Sequence, residues 1–262
     1  MQPKKSLGQN FLRDKQILSK IIEAADLGAD DPVFEIGPGE GSLTEELLKK
    51  SKKVVAIEID QRLADKLRKR FKDKKNFELI DRDILKINLP KLVEEQKLET
   101  EGYKVVANIP YYITSPIIRL FLETKYPPRV MILMVQKEVA ERICADAGQM
   151  SLLAASVQYY AEPELLFYVD KKAFYPIPEV DSAVIRITHN LRHIAKEESK
   201  KFFRIIRAGF SAKRKTLSNN LSASLKINKK VVEGILEEAD IAPNSRAQEL
   251  SVEDWKKLFR LF

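Results

Sequence analysis

With 262 residues, 44% of them hydrophobic and 32% charged, the chain has room for one large domain and a smaller one, and no apolar run approaches the roughly 20 residues that span a bilayer. A single cysteine, Cys144, excludes an intramolecular disulfide and a cysteine-cluster metal site; with only His189 and His193 as histidines, no metal and no histidine-based catalysis is expected, and the cytoplasm is the expected compartment. The net charge of +8 is unevenly placed: residues 190–262 carry 16 Lys and Arg against 9 Asp and Glu, residues 1–189 carry 30 against 29, so the last quarter suits a polyanion partner unless it is simply a lysine-rich solvated surface.

Met1-Gln2-Pro3-Lys4-Lys5 is basic but leads into no apolar stretch, so no secretory signal is expected. The segment Lys5 to Leu12 is polar and contains Gly8, yet it ends in Phe11 and Leu12. An exposed tail has no use for two large apolar residues, and the segment reads as an arm packed over something. Ile17, Leu18, Ile21 and Ile22 recur at helical spacing and predict a helix over Lys15–Ala25 with Asp14 as its N-cap.

Val33-Phe34-Glu35-Ile36 predicts a strand, Gly37-Pro38-Gly39-Glu40-Gly41 a turn, and Ser42 to Lys50 a helix. Strand, glycine turn, helix opens a doubly wound α/β sheet, whose ligands lie at the carboxyl ends of its strands. The G-x-G-x-G spacing lacks the later glycine of the dinucleotide fingerprint, which argues against a nicotinamide oxidoreductase. Val54–Ile57 is the next strand, closed by Glu58-Ile59-Asp60, where a carboxylate can accept from both hydroxyls of a ribose held over the first turn. A third strand, Asn76 to Ile80, leads to Asp83-Ile84, so a further carboxylate reaches the same edge and can accept from the amino group of an adenine between apolar walls at Ile59 and Ile84. Each acid taken singly could equally be a helix cap or a solvated turn residue.

Val105-Val106-Ala107 predicts a fourth strand, closed by Asn108-Ile109-Pro110-Tyr111. Pro110 fixes its own φ and keeps Ile109 extended, so the neighbouring carbonyls are held in place. The Asn108 side-chain oxygen and such a carbonyl can both accept from one exocyclic amine, with Tyr111 stacked on the ring that carries it; a plain proline turn with a half-buried tyrosine is the other reading. Val130–Val135 suits a buried parallel strand. Gln136–Ala145 and Ser151–Tyr160 read as helices, and Ser182–Thr188 alternates as a strand. Between them, Phe174-Tyr175-Pro176-Ile177-Pro178 is a proline-stiffened loop whose Phe174 either meets a base opposite Tyr111 or belongs to the core. The stretch Glu94–Gly102 is a charged loop without readable chemistry.

From His189 the pattern is helical: Phe202, Phe203, Ile206 and Phe210 form one face, and further helices are expected around Lys229–Ala239 and Val252–Phe259. Lys213-Arg214-Lys215 sits at a helix junction and is followed by Asn219 and Asn220, a set suited to phosphate and sugar contacts.

Together, Gly37-Pro38-Gly39-Glu40-Gly41, Glu58-Ile59-Asp60, Asp83, Asn108-Ile109-Pro110-Tyr111 and Phe174-Tyr175-Pro176-Ile177-Pro178 resemble the class I adenine-N6 methyltransferases of ribosomal RNA. Ser115-Pro116, Val180-Asp181-Ser182 and Lys213 to Leu221 make the chain most similar to those that dimethylate the small subunit. The resemblance covers Lys5 to about Leu221. It implies a Rossmann-like methyltransferase sheet with a small helical domain, divided as a cofactor-binding catalytic domain over 1–189 and a basic RNA-binding domain over 190–262. The implied cofactor is S-adenosylmethionine, with Gln9, Asn10 and Leu12 closing over it, Gly37 and Gly39 under its methionine portion, Glu58 and Ile59 at the ribose, Asp83 and Ile84 at the adenine, and Asn108 touching both cofactor and target. Asn108, Pro110, Tyr111 and Phe174 are the implied catalytic set, and two adjacent adenines in a hairpin loop near the 3′ end of small-subunit rRNA, within an assembling subunit, the implied substrate of a monomer. Tyr112 departs from the asparagine of many relatives, which bears on the fit of the target pocket. The alternative on the same fold is a non-catalytic RNA-binding assembly or transcription factor.

Overall fold

The computed structural model describes residues 3–4, 7–98, 102–190 and 196–262. Lys5 and Ser6 of the arm, residues 99–101 of the charged loop and His193 lie outside them. Two compact units result: Met1–Ala140 with Ala161–His189, and Glu141–Tyr160 with Asn190–Phe262.

In the first unit the elements run β1 (Phe11–Leu12), α1 (Lys15–Ala25), β2 (Pro32–Ile36), α2 (Ser42–Lys50), β3 (Lys53–Glu58), α3 (Gln61–Arg70), β4 (Phe77–Asp81), α4 (Leu89–Glu95), β5 (Lys104–Asn108), α5 (Thr114–Leu122) and β6 (Val130–Gln136), with α6 (Lys137–Ile143) beginning after it. The later chain is α7 (Leu152–Tyr160), β7 (Ala161–Val169), β8 (Phe174–Tyr175), β9 (Ser182–His189), α8 (Lys196–Gly209), α9 (Leu217–Leu225), α10 (Lys229–Glu238) and α11 (Val252–Leu261). Seven strands form one sheet in the order β4-β3-β2-β5-β6-β9-β7. β2 to β6 are parallel to one another, and β9 runs antiparallel to both β6 and β7.

Strand order reverses between β2 and β5, since β3 and β4 lie on one side of β2 and β5 and β6 on the other. That reversal opens a crevice at the carboxyl edge, because the connections after β2 and β5 leave toward opposite faces. On one face Val33, Val54, Val106 and Ile132 are sealed by Leu18 and Ile21 of α1, Leu47 of α2 and Leu67 of α3. On the other, Phe34 meets Tyr103 edge-on at 4.9 Å between ring centroids and faces Phe121 of α5. Each such fully buried side chain stabilises the fold by roughly 1.5–3 kcal/mol relative to exposure.

The arm is packed, as its apolar end requires. Phe11 and Leu12 pair antiparallel with Tyr175 and Phe174 in a two-stranded ribbon. Gln9 Nε2 donates to Asp60 at 3.0 Å, and Lys4 Nζ reaches the same carboxylate at 3.2 Å. Asp14 caps α1 by accepting from the backbone N–H of Gln16 and Ile17.

In the second unit the Phe202 ring of α8 stacks on Tyr159 at 3.8 Å and meets Phe259 of α11 edge-on, while Phe210 packs on Trp255. The sequence boundary at 189/190 assigned α7 to the first domain; the structure assigns it to the second unit. The physical reason is Tyr159 and Tyr160, whose rings pack with Phe202 and Phe203.

Candidate active site

The glycine turn follows β2 with Gly37, Gly39 and Gly41 all at positive φ, 66°, 59° and 84°. Those conformations are open to glycine at no steric cost. Gly37 N–H donates to Ile57 O and Gly41 N–H to Pro38 O, both at 2.9 Å, which closes the turn. A Cβ on Gly39 would stand 3.1 Å from the Phe11 ring, so the arm lies directly against the turn. A Cβ on Gly37 would lie 3.8 Å from Pro110 Cδ and 4.0 Å from the Asn108 carbonyl oxygen. The glycine turn and the Asn108 tetrapeptide are thus neighbours at one end of the sheet.

Glu58, at the end of β3, is buried, and its two oxygens accept from the backbone N–H of Gly39 at 3.2 Å and of Asp60 at 2.8 Å. Burial raises its carboxyl above the ordinary range. Asp60 caps α3 and is held well below the usual carboxylate range, first by the Arg62 guanidinium and then by Gln9 and Lys4. Asp83 accepts from Leu85 N–H at 3.0 Å, so it caps the short turn after β4 while also lining the cavity. Its other oxygen, Oδ2, lies 3.9 Å from Lys86 Nζ.

Asn108 Nδ2 donates to the Asn10 carbonyl at 3.2 Å, which ties the tetrapeptide to the arm and leaves Oδ1 as an acceptor. The Pro110 carbonyl accepts from Ile113 N–H at 3.1 Å and keeps one lone pair. Tyr111 is held through its hydroxyl, 2.8 Å from Ser182 Oγ at the start of β9.

One cavity gathers Gln9, Asn10, Leu12, Gly37, Gly39, Glu58, Ile59, Asp83, Ile84, Asn108, Pro110 and Tyr111. Tyr112 also lines it and is 58% exposed. Phe174 is not on its wall. The side chain expected opposite Tyr111 is 3% exposed and packs in the core cluster with Leu12 and Leu18, because β8 turns alternate side chains to opposite sides and the inner one is Phe174. A second correction concerns Asn220, expected among the RNA contacts. It is 2% exposed, and its Nδ2 donates to the Gly209 carbonyl at 2.6 Å and the Ala212 carbonyl at 3.0 Å, so its amide is spent on the end of α8 and the turn that follows it. Lys213, Arg214, Lys215 and Asn219 are exposed at the turn into α9.

Glu35 is the cavity residue that motif reading passes over. It is fully buried as the penultimate residue of β2, lines the cavity, and its Oε2 has no hydrogen-bond partner among the described residues. Burial, with Glu58 beside it, pushes its carboxyl up to about 8. A charged side chain in the apolar run Val33-Phe34-Glu35-Ile36, one residue before the glycine turn, is the signal that was available. The unpartnered Glu35 Oε2, the acceptor capacity left on Glu58, the glycine cradle and the apolar Ile59 and Ile84 fit a ligand with an ammonium group, ribose hydroxyls and an adenine, as S-adenosylmethionine has.

The family model described as Ribosomal RNA adenine dimethylase matches residues 1–262. The chain belongs to that family. A relative called Ribosomal RNA small subunit methyltransferase A, from Dehalococcoides mccartyi (strain CBDB1), is 48% identical over 98% of this chain and 88% of its own. Among solved structures, a dimethyladenosine transferase from Plasmodium falciparum is similar at 30% identity and a TM-score of 0.79, covering 95% of each chain. The 23S rRNA methyltransferase ErmE is similar at 30% identity and a TM-score of 0.77, covering 96% of this chain and 99% of its own. Membership of this family makes the chain a class I adenine methyltransferase acting on ribosomal RNA with S-adenosylmethionine as donor.

Proposed function

We propose that this dimethylase places two methyl groups on N6 of each of two adjacent adenines in a hairpin loop near the 3′ end of small-subunit rRNA, as a cytoplasmic monomer acting late in subunit assembly. The observation that carries the reading is the meeting of the glycine turn, Glu58, Asp83 and Asn108 around one cavity at the carboxyl edge of the sheet. The preference for the small subunit rests on the closer identity, 48% against 30%, to relatives named for it.

When bound, S-adenosylmethionine supplies an electrophilic methyl on a sulfonium. The target amine is a weak nucleophile because its lone pair is delocalised into the purine. Asn108 Oδ1 and the free lone pair of the Pro110 carbonyl accept from that amine, favour its pyramidal form and offset the positive charge that grows on nitrogen, which is stabilisation specific to the transition state. Tyr111, anchored by Ser182, offers its ring to a base drawn out of its stack. Glu58 accepts from the ribose hydroxyls, Asp83 from the adenine amino group, and Gln9, Asn10 and Leu12 cover the site from the arm. No general base is required, since the alkylated nitrogen sheds its proton readily. The non-catalytic alternative loses its ground when every one of these groups is present and assembled.

Lys213, Arg214, Lys215 and Asn219 are assigned to the phosphates and sugars of the RNA, with Asn220 as their structural support. Mass spectrometry of small-subunit rRNA from cells with and without the gene tests the reading: two adjacent N6,N6-dimethyladenines that vanish on deletion are expected, and their persistence overturns it.

A further inference from the structure

Three large apolar side chains stand in water within six residues, Tyr175 at 59% exposure, Ile177 at 61% and Val180 at 43%. A chain ordinarily scatters such residues singly; a cluster on a stiff loop beside a cavity marks a contact surface. Pro176 and Pro178 restrict the backbone between them. Both ends of the loop are fastened. Tyr175 pairs with Phe11 in register, and at the far end Asp181 accepts from Lys171 N–H at 3.1 Å and, through its carbonyl, from Lys137 N–H at 3.0 Å. The platform therefore loses little freedom when something lies on it.

Its position decides the occupant. Phe11, opposite Tyr175, lines the cavity, and Ser182, which follows the loop, holds the Tyr111 hydroxyl. The loop thus adjoins both a wall of the cavity and the anchor of Tyr111. Arg13 sits with its guanidinium 5.7 Å from the centroid of the Tyr175 ring while bonded to Glu40 at 2.9 Å, and Lys171 and Lys172 are exposed just upstream. Glu179 and Asp181 are the opposing charges; the Asp181 carboxylate is occupied by the Lys171 backbone, and Lys171 Nζ lies 3.4 Å from the Glu179 carbonyl. Flat apolar surface flanked by cations, with the purine site alongside, matches an unstacked base of single-stranded RNA and its phosphate.

We infer that Tyr175 and Ile177 form a stacking platform for the nucleotide next to the target adenine, holding the RNA loop open while the target occupies the cavity. The inference rests on the RNA-methylating reading above. Kinetics of methyl transfer to small-subunit particles lacking the modification test it with Tyr175→Ala, Ile177→Ala and Tyr175→Phe. The Tyr175→Ala variant raises KM for the particle about tenfold, in keeping with base–aromatic stacking, with kcat and the dissociation constant for S-adenosylmethionine within about twofold of wild type; Ile177→Ala raises it less, and Tyr175→Phe restores the wild-type value. An unchanged KM in both alanine variants overturns the platform while leaving the methyltransferase reading in place. Absence of transfer by the wild-type protein overturns both.

Discussion

Two buried side chains, Glu35 and Asn220, carry the sharpest consequences at the scale of single residues. A carboxyl whose folded pKa lies near 8 against an ordinary 4.5 binds a proton that the unfolded chain has already lost. Its contribution therefore favours folding at low pH, declines as pH rises above the ordinary glutamate range and levels off beyond about 8. Glu35→Gln keeps the shape and removes the charge, so in thermal unfolding it should match the wild type at pH 5 and exceed it in Tm at pH 8.5; equal Tm differences at both values would mean Glu35 is ionised throughout. Asn220→Ala removes the side-chain donor from the Gly209 carbonyl at the end of α8 and from the Ala212 carbonyl beyond it and should cost about 1–3 kcal/mol of stability, measurable by denaturant unfolding, whereas Asn219→Ala on the exposed side should leave stability within about 0.5 kcal/mol. Neither role was legible in the sequence. Asn219 and Asn220 are identical in kind and adjacent in the chain, and only the turn of α9 decides which one faces the end of α8.

At the scale of elements, sequence reading succeeded where local signals agree and failed where the sheet's context overrides them. The helix Ser42–Lys50 is bounded by a glycine at left-handed φ and follows a buried strand, so its ends were readable to the residue. Gly41 shows why that turn tolerates no side chain: at φ 84° a Cβ would stand 2.8 Å from Leu67 Cδ2 and 2.9 Å from Phe71 Cε2. Gly41→Ala is expected to cost about 1–2 kcal/mol from conformation alone, with more from displaced α3, and to weaken cofactor affinity; calorimetry of both properties checks it. β7 was missed because Pro163 interrupts it and a register shift at Leu165/Phe167 breaks its alternation, irregularities permitted because it lies at the edge of the sheet. Pro116 likewise hid α5, though proline is harmless in a first turn whose N–H groups have no partner in the helix. The two-stranded ribbon of β1 and β8 pairs residues more than 160 positions apart and offered no local signal beyond the unexplained apolar end of the arm.

For the whole molecule, the charge that accumulates in residues 190–262 makes salt the natural probe. Association with rRNA should weaken steeply as salt rises, and replacing Lys213, Arg214 and Lys215 by glutamine should reduce the slope of log affinity against log salt by about 3, roughly one for each lost phosphate contact. A slope unaltered by the triple substitution would remove these residues from the interface. The catalytic claim concerns the other unit, where one acceptor at the end of β5 is assigned to the reacting nitrogen. Single-turnover transfer of labelled methyl from S-adenosylmethionine to unmodified small-subunit particles measures that directly in the wild type and in Asn108→Ala. The rate is predicted to fall by about 10²–10³-fold with cofactor affinity changed only a few-fold; a variant that still transfers near the wild-type rate would contradict the account.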